Sequence, residues 1–206
     1  MTIIIIEYDD CHSNEIYMKR DSKDEMIEGA LQLLAMHGLQ ATSFSEVLAL
    51  TKAPRGSIYH HFPKGKDEMI AAALKLSEER TTKAINGLAS SSPEAITKGF
   101  LELWRQLLLR SDFAAGCSAV AVTVATDSVE LLERATAIFR SWQQALANLL
   151  VDAGVSRKEA VEFATLLIAA SEGAVVMSRS EKSLQPFELV SKNLVRQAKN
   201  LVNTKG

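Results

Sequence analysis

Residues 43–66 read SFSEVLALTKAPRGSIYHHFPKGK, and the breaks in this stretch decide the fold. Ser43 with Glu46 three residues later is a capping-box pattern, which marks a helix start. Val47, Leu48 and Leu50 supply the apolar side of a short helix over 44–51. Pro54 predicts a second start, because its missing N–H is no loss in a first turn. Pro63 and Gly65 then interrupt the chain, so this next helix is also short, about 54–61. Two short helices around a tight turn, with a third packed across them, make a helix-turn-helix.

The third helix lies just upstream. Ser22 and Glu25 form another capping-box pattern, and Met26, Ile27, Ala30, Leu31 and Leu34 recur on one face up to Gly38, a good residue just past a helix end. Downstream, Met69, Ile70, Ala73 and Leu74 form the stripe of a fourth helix over about 66–88. The cluster Ser90-Ser91-Ser92-Pro93 is a turn and a further start. Helical spacing then predicts segments at about 93–111, 128–153 (ended by Gly154), 156–181 (opened by Ser156 and Glu159) and 186–203, with a less regular one at 115–126. No strand-like alternation persists beyond Ile6. The predicted fold is all-α: an N-terminal three-helix unit and then a larger helical bundle, about nine helices in total.

With 206 residues, 47% of them hydrophobic, the chain has ample material for a buried core. A formal charge of −2 excludes a protein that is basic throughout, but a DNA reader needs only its contacting surface positive. Cys11 and Cys117 are too far apart, and too poor in Cys/His company, for a disulfide framework or a zinc site. A reducing cytoplasm is the compartment that fits. The apolar run Ile3–Ile6 is too short for a membrane span and lacks a signal peptide's flanks. Residues 1–18 differ in character from the rest of the chain and are expected to be a disordered or loosely docked extension.

Composition singles out the helix at 54–61. From Lys52 to Lys66 there are four cations, two histidines, two aromatics and no carboxylate. A helix entering the DNA major groove needs such a set: cations for phosphates, small hydrogen-bonding groups for bases, and apolar anchors toward its own core. Ile58 and Phe62, four apart, suit the anchors, and Gly56 lets the backbone approach closely. Arg55 suits either a bidentate guanine contact or a phosphate contact. The candidate DNA-contacting set is Lys23, Ser43, Lys52, Arg55, Gly56, Ser57, Tyr59, His60, Lys64 and Lys66. The bland alternative, an αα-corner in a helical core, has no use for a carboxylate-free cationic segment. His60 and His61 point about 100° apart on a helix, so a metal site is not expected there.

The run Gly38–Phe62, with GLQATS, an EV in the second helix and GSIYHHF in the third, resembles the DNA-binding domain of TetR-type transcriptional regulators. The wording APRGSIYHHFPKGK is similar to the LmrA/YxaF-like branch, whose downstream Gly-Cys motif Gly116-Cys117 matches. The motif resemblance covers about residues 22–74. One departure is Pro54, where many members carry a Ser or Thr cap; Pro keeps the helix start but removes a hydroxyl from phosphate reach. The resemblance implies a DNA-binding domain at 19–66 and a ligand-binding and dimerisation domain at 67–206. It implies a cytoplasmic homodimeric repressor on a palindromic double-stranded operator, released by a small hydrophobic effector, with its dimer interface within 157–203. It implies no enzyme activity and no cofactor, and the chain lacks the phosphate-loop, nucleophile-elbow and zinc-protease motifs that an enzyme would suggest.

In the C-terminal part, Phe100, Trp104 and Leu107 share one helical face, and Phe139, Trp142 and Leu146 share another. Such stripes suit core packing and an apolar ligand site between helices alike. The candidate ligand set is Phe100, Trp104, Leu107, Phe113, Cys117, Phe139, Trp142, Glu172 and Met177. Glu172 sits in the apolar run Phe163–Val176; buried, it needs a partner or a ligand, and exposed, it belongs to a dimer face. Met177 suits pocket or interface equally. Ala164, Leu167, Ile168, Ala169, Ala170, Gly173 and Ala174, with Leu189, Leu194 and Leu201, permit close helix approach, either between subunits or within one. The principal alternatives are a helical interaction protein without DNA binding and a transcriptional activator.

Overall fold

Start signals in the sequence become helix caps in the structure, a computed structural model that describes residues 22–89 and 92–201. The expected extension over 1–18 lies outside the described residues. Nine helices occur among those residues: α1 Ser22–His37, α2 Phe44–Thr51, α3 Arg55–His61, α4 Lys66–Asn86, α5 Pro93–Arg110, α6 Ser118–Thr123, α7 Val129–Asp152, α8 Arg157–Glu181 and α9 Gln185–Asn200. The all-α architecture is as the sequence predicts. Ser43, Ser92 and Ser156 each accept a backbone N–H three residues on, from Glu46, Ala95 and Glu159. Gly38 and Gly154 end α1 and α7 with φ of 79° and 94°, a conformation that glycine adopts without steric cost.

Three local expectations change. Ser22 stands inside α1, and its hydroxyl is hydrogen-bonded to His61 Nε2 at 2.9 Å, so it ties α1 to α3 rather than capping α1. Pro54 is the residue before α3, in extended conformation, and its carbonyl receives Ser57 N and Ser57 Oγ. The segment expected to be helical over 115–126 is helical only at Ser118–Thr123, because residues 112–117 form a turn in which Asp112 and Phe113 take φ of 48° and 61°.

Helices α1–α3 form a small head around Met26, Ala30, Leu34, Val47, Ile58 and Phe62, all essentially inaccessible to solvent. The aromatic ring of Phe44 meets both Phe62 and Tyr59. Below the head, α4, α5 and α7–α9 make the bundle, and α4 belongs to both parts, packing on α1 and on α7. Arg80 on α4 pairs with both carboxylate oxygens of Glu28 on α1, a fork-shaped contact across the junction.

Helix α8 is long and apolar enough to cross a membrane by length and composition. Half of its apolar stretch is buried within the fold, and it packs on α7, α9 and α5 as a core helix does. Truncating the anchor of α3 tests the head directly. Phe62→Ala removes a ring that is 1% exposed and is expected to cost about 3–5 kcal/mol. Amide exchange should show protection lost in residues 22–62 ahead of α7 and α8.

Candidate nucleic-acid interface and internal cavity

The short α3 owes its orientation to its apolar side. Ile58 and Phe62 are buried, which turns Pro54, Arg55, Gly56, Tyr59 and His60 outward. Tyr59 is 65% exposed, an unusual position for a large ring and one suited to a partner surface. Lys52 ends α2 in a left-handed conformation and is exposed, as is Lys64 beyond α3. Among the described residues, the ion pairs leave Lys52, Arg55 and Lys64 unneutralised. Exposed cations therefore flank α3 at both ends, Lys52 and Arg55 at its start and Lys64 beyond its last turn, where Lys64 N donates to Glu68 Oε2.

Four candidates have structural partners. Ser43 caps α2 and also bonds Ser45. Ser57 returns its hydroxyl to Pro54 O. The Lys23 ammonium lies 5.9 Å from the centre of the Phe62 ring, a cation–π distance. Lys66 departs from the expected phosphate-facing position, since its ammonium donates to Leu39 O at 2.7 Å and braces the α1–α2 turn against α4.

The bundle contains a narrow cavity of about 30 Å³ between α1, α4, α5, α7 and the turn before α6. Of the candidate ligand residues it brings together Phe100, Trp104, Leu107, Cys117 and Trp142. Trp104 meets Phe100 and Trp142 edge to face, with centroids 6.5 Å apart in both pairs. Phe139 meets Trp142 edge to face and does not line the cavity. Phe113 lines a separate surface cleft of about 460 Å³ with Met36 and Arg179. Met177 is 53% exposed on the outer face of α8 and is no part of the cavity.

Glu172 is buried, so the exposed dimer-face reading of it does not hold. Burial raises its carboxyl to about pH 7, opposed by a hydrogen bond with Cys117. Burial also pushes the Cys117 thiol well up, and the neighbouring carboxyl adds to this. The pair thus stands one layer behind the cavity wall, with Cys117 lining it.

Sequence reasoning missed three features. Leu31 and Ala35 of α1, a head helix, line the cavity. Ser77 and Thr81, spaced four apart in the apolar stripe of α4, were the legible sign of a polar edge there. Arg179 at the end of α8 is the third. Its Nη2 donates to Ala114 O at 2.7 Å and to Met36 O at 3.3 Å, while Gly116 N donates to Ala35 O at 2.9 Å. A Cβ on Gly116 would lie 2.5 Å from Arg179 Nη1, so glycine is what lets the guanidinium lie across the turn.

With this geometry in view, the relatives are informative. The sequence profile of bacterial regulatory proteins of the tetR family matches residues 26–73. The profile of the LmrA/YxaF-like transcriptional regulator C-terminal domain matches residues 93–193. An HTH-type transcriptional regulator of Mycobacterium tuberculosis, Rv0196, is 31% identical over 179 residues, spanning 84% of this chain and 91% of its own. The HTH-type regulator YxaF of Bacillus subtilis is 27% identical over 180 residues, spanning 84% and 93%. A TetR transcriptional regulator from Legionella pneumophila shares the fold, with a TM-score of 0.77 at 17% identity over 87% of this chain and 98% of its own. The chain belongs to the TetR family of transcriptional regulators.

Two measurements probe the cavity wall. A carboxyl raised in the fold stabilises while protonated, so this contribution is complete below about pH 4.5 and is lost as pH climbs through about 7. Glu172→Gln should therefore exceed the wild type at pH 8 by up to about 3 kcal/mol and flatten the fall in melting temperature between pH 5 and 8. Gly116→Ala should displace the Arg179 guanidinium, cost about 1.5–3 kcal/mol, and speed amide exchange at position 116 and across the last turn of α1.

Proposed function

We propose that this chain is a cytoplasmic, homodimeric, ligand-responsive repressor of the LmrA/YxaF-like branch, which binds a palindromic operator and is released by a small hydrophobic effector. The reading rests above all on the exposed, carboxylate-free α3 held rigidly by Ile58 and Phe62. In this reading residues 19–66 read DNA and residues 67–206 bind ligand and dimerise. Arg55 takes a guanine edge or phosphate, Ser57 and Gly56 allow close approach, and Lys52, Tyr59, His60 and Lys64 meet the backbone. The match of residues 93–193 to the LmrA/YxaF-like profile supports the branch.

Support for the dimer comes from α8 and α9. Ala164, Leu167, Ile168 and Ala174 pack inward, whereas Val161, Leu166, Ala169, Gly173, Val176 and Met177 form an exposed apolar stripe at helical spacing. Leu189 on α9 is exposed as well. A stripe of this kind suits a two-fold interface, and a dimer that reads successive half-sites must hold its two α3 helices about 34 Å apart.

The coupling path is short. A drug-sized ligand needs about 300 Å³ or more, so the 30 Å³ cavity must open to admit one. Two of its walls are α1 and the Gly116–Ser118 turn, which are hydrogen-bonded to each other. Expansion therefore bears on α1 and, through it, on the angle of α3. A ligand that prefers the opened state weakens DNA binding by its differential affinity.

A mobility-shift assay on the DNA upstream of the protein's own gene, repeated across salt concentrations, tests the reading. Specific retardation that weakens steeply with salt is expected, as phosphate contacts release counterions. Arg55→Ala should lose about 1–3 kcal/mol of specific affinity, and Tyr59→Ala should weaken binding, both with unchanged circular dichroism. Failure to retard any neighbouring intergenic DNA at low salt overturns it.

A further inference from the structure

The cavity has a polar vocabulary of its own. None of its lining residues is charged. Two of them, Trp142 and Thr81, are 2% and 6% exposed, and their Nε1 and Oγ1 atoms have no hydrogen-bond partner. For Thr81 this departs from the habit of the chain. Thr51, Thr97, Thr123 and Thr165 each return the hydroxyl to the carbonyl four residues earlier. The neighbouring polar groups of the cavity are already engaged, since Ser118 Oγ donates to Ser77 Oγ at 3.0 Å. Among the fully buried polar atoms of the lining, Thr81 Oγ1 on α4 and Trp142 Nε1 on α7 are therefore the ones left without partners.

An indole N–H donates and cannot accept, and a threonine hydroxyl does both. Buried polar groups without partners are uncommon and costly, and a ligand that supplies the missing partner recovers that cost on binding. The rest of the wall is aromatic and aliphatic: Phe100, Trp104, Leu103 and Leu31. An ion entering there would shed its hydration with no opposite charge in the wall to replace it.

We propose that the ligand of this cavity is an uncharged, largely apolar molecule bearing a carbonyl-type acceptor, which receives the Trp142 Nε1–H and takes Thr81 Oγ1 as its second polar contact. This rests on the cavity being the effector site. The acceptor fixes the orientation of the ligand and its apolar body fills the opened space. Trp142 is then the residue that separates a carbonyl compound from a hydrocarbon of the same shape, because only the former satisfies the donor.

The two tryptophans, Trp104 and Trp142, give two indole N–H signals in a nitrogen–proton correlation spectrum of the full-length ¹⁵N-labelled protein. Titration with 1-tetralone, tetralin and tetralin-1-carboxylate compares one shape with a carbonyl, without it, and with a charge. The ketone should bind about tenfold or more tighter than the hydrocarbon and move the Trp142 signal downfield, and the carboxylate should bind most weakly. Trp142→Phe should bring ketone and hydrocarbon within about twofold of each other. The isosteric Thr81→Val should reduce ketone affinity alone, which covers the case of a poorly folded Trp142→Phe. Equal affinity for ketone and hydrocarbon, tighter binding of the carboxylate, or no binding of any of the three overturns the proposal. No DNA enters the experiment, so a failure here is separate from a failure of DNA binding.

Discussion

The last turn of α1 leaves carbonyl groups that no residue of the helix can satisfy, and the places where they find donors hold the molecule together. Leu34 O is met by Gly38 N, a local solution written into the glycine. Ala35 O and Met36 O are met from far along the chain, by Gly116 N and by Arg179. Thr42 Oγ1 closes the set on Gly38 O. The head is thus fastened to the bundle through the backbone of its first helix. Charge-assisted donation from a guanidinium is among the stronger forms of such a bond.

That fastening makes one set of atoms serve two purposes. Ala35 presents its side chain to the cavity and its carbonyl to Gly116, and Gly116 lines the same cavity. In the proposed reading, occupancy of the cavity and the pose of α3 are linked through this adjacency, with no long chain of intermediates required. The Arg80–Glu28 fork and the Lys66–Leu39 bond add rigidity at the same junction, so strain introduced at the cavity has few places to dissipate. Close packing makes such a junction switch between arrangements instead of bending smoothly.

Polar groups buried in the bundle divide by whether the fold completes them. Ser77 and Ser118 answer each other, and Ser171 is satisfied by its own helix. Glu172 is half-answered by Cys117, and it is held toward its neutral form because burial penalises the charged one. Trp142 and Thr81 are left without partners. Those two line the cavity, whereas Glu172 Oε1 stands behind its wall and Ser191 Oγ lies apart on α9, also without partners.

Periodicity and caps made the nine helices and the head legible in the sequence, because each is a local event: Ser43, Ser92, Ser156, Gly38 and Gly154 act on residues within four of themselves. The exposed cationic α3 was legible for the same reason, since Ile58 and Phe62 fix its inner side and thereby its outer one. What tertiary structure alone decided was assembly across the chain. Phe113 and Met177 look as apolar as Trp104, yet a left-handed turn and a place on the outer face of α8 keep both away from the cavity. Lys66 reads as a free cation and is a brace; Arg179, which no sequence signal singles out, holds α1. These roles depend on partners between 27 and 143 positions distant, and spacing along a single helix carries no information about such distances.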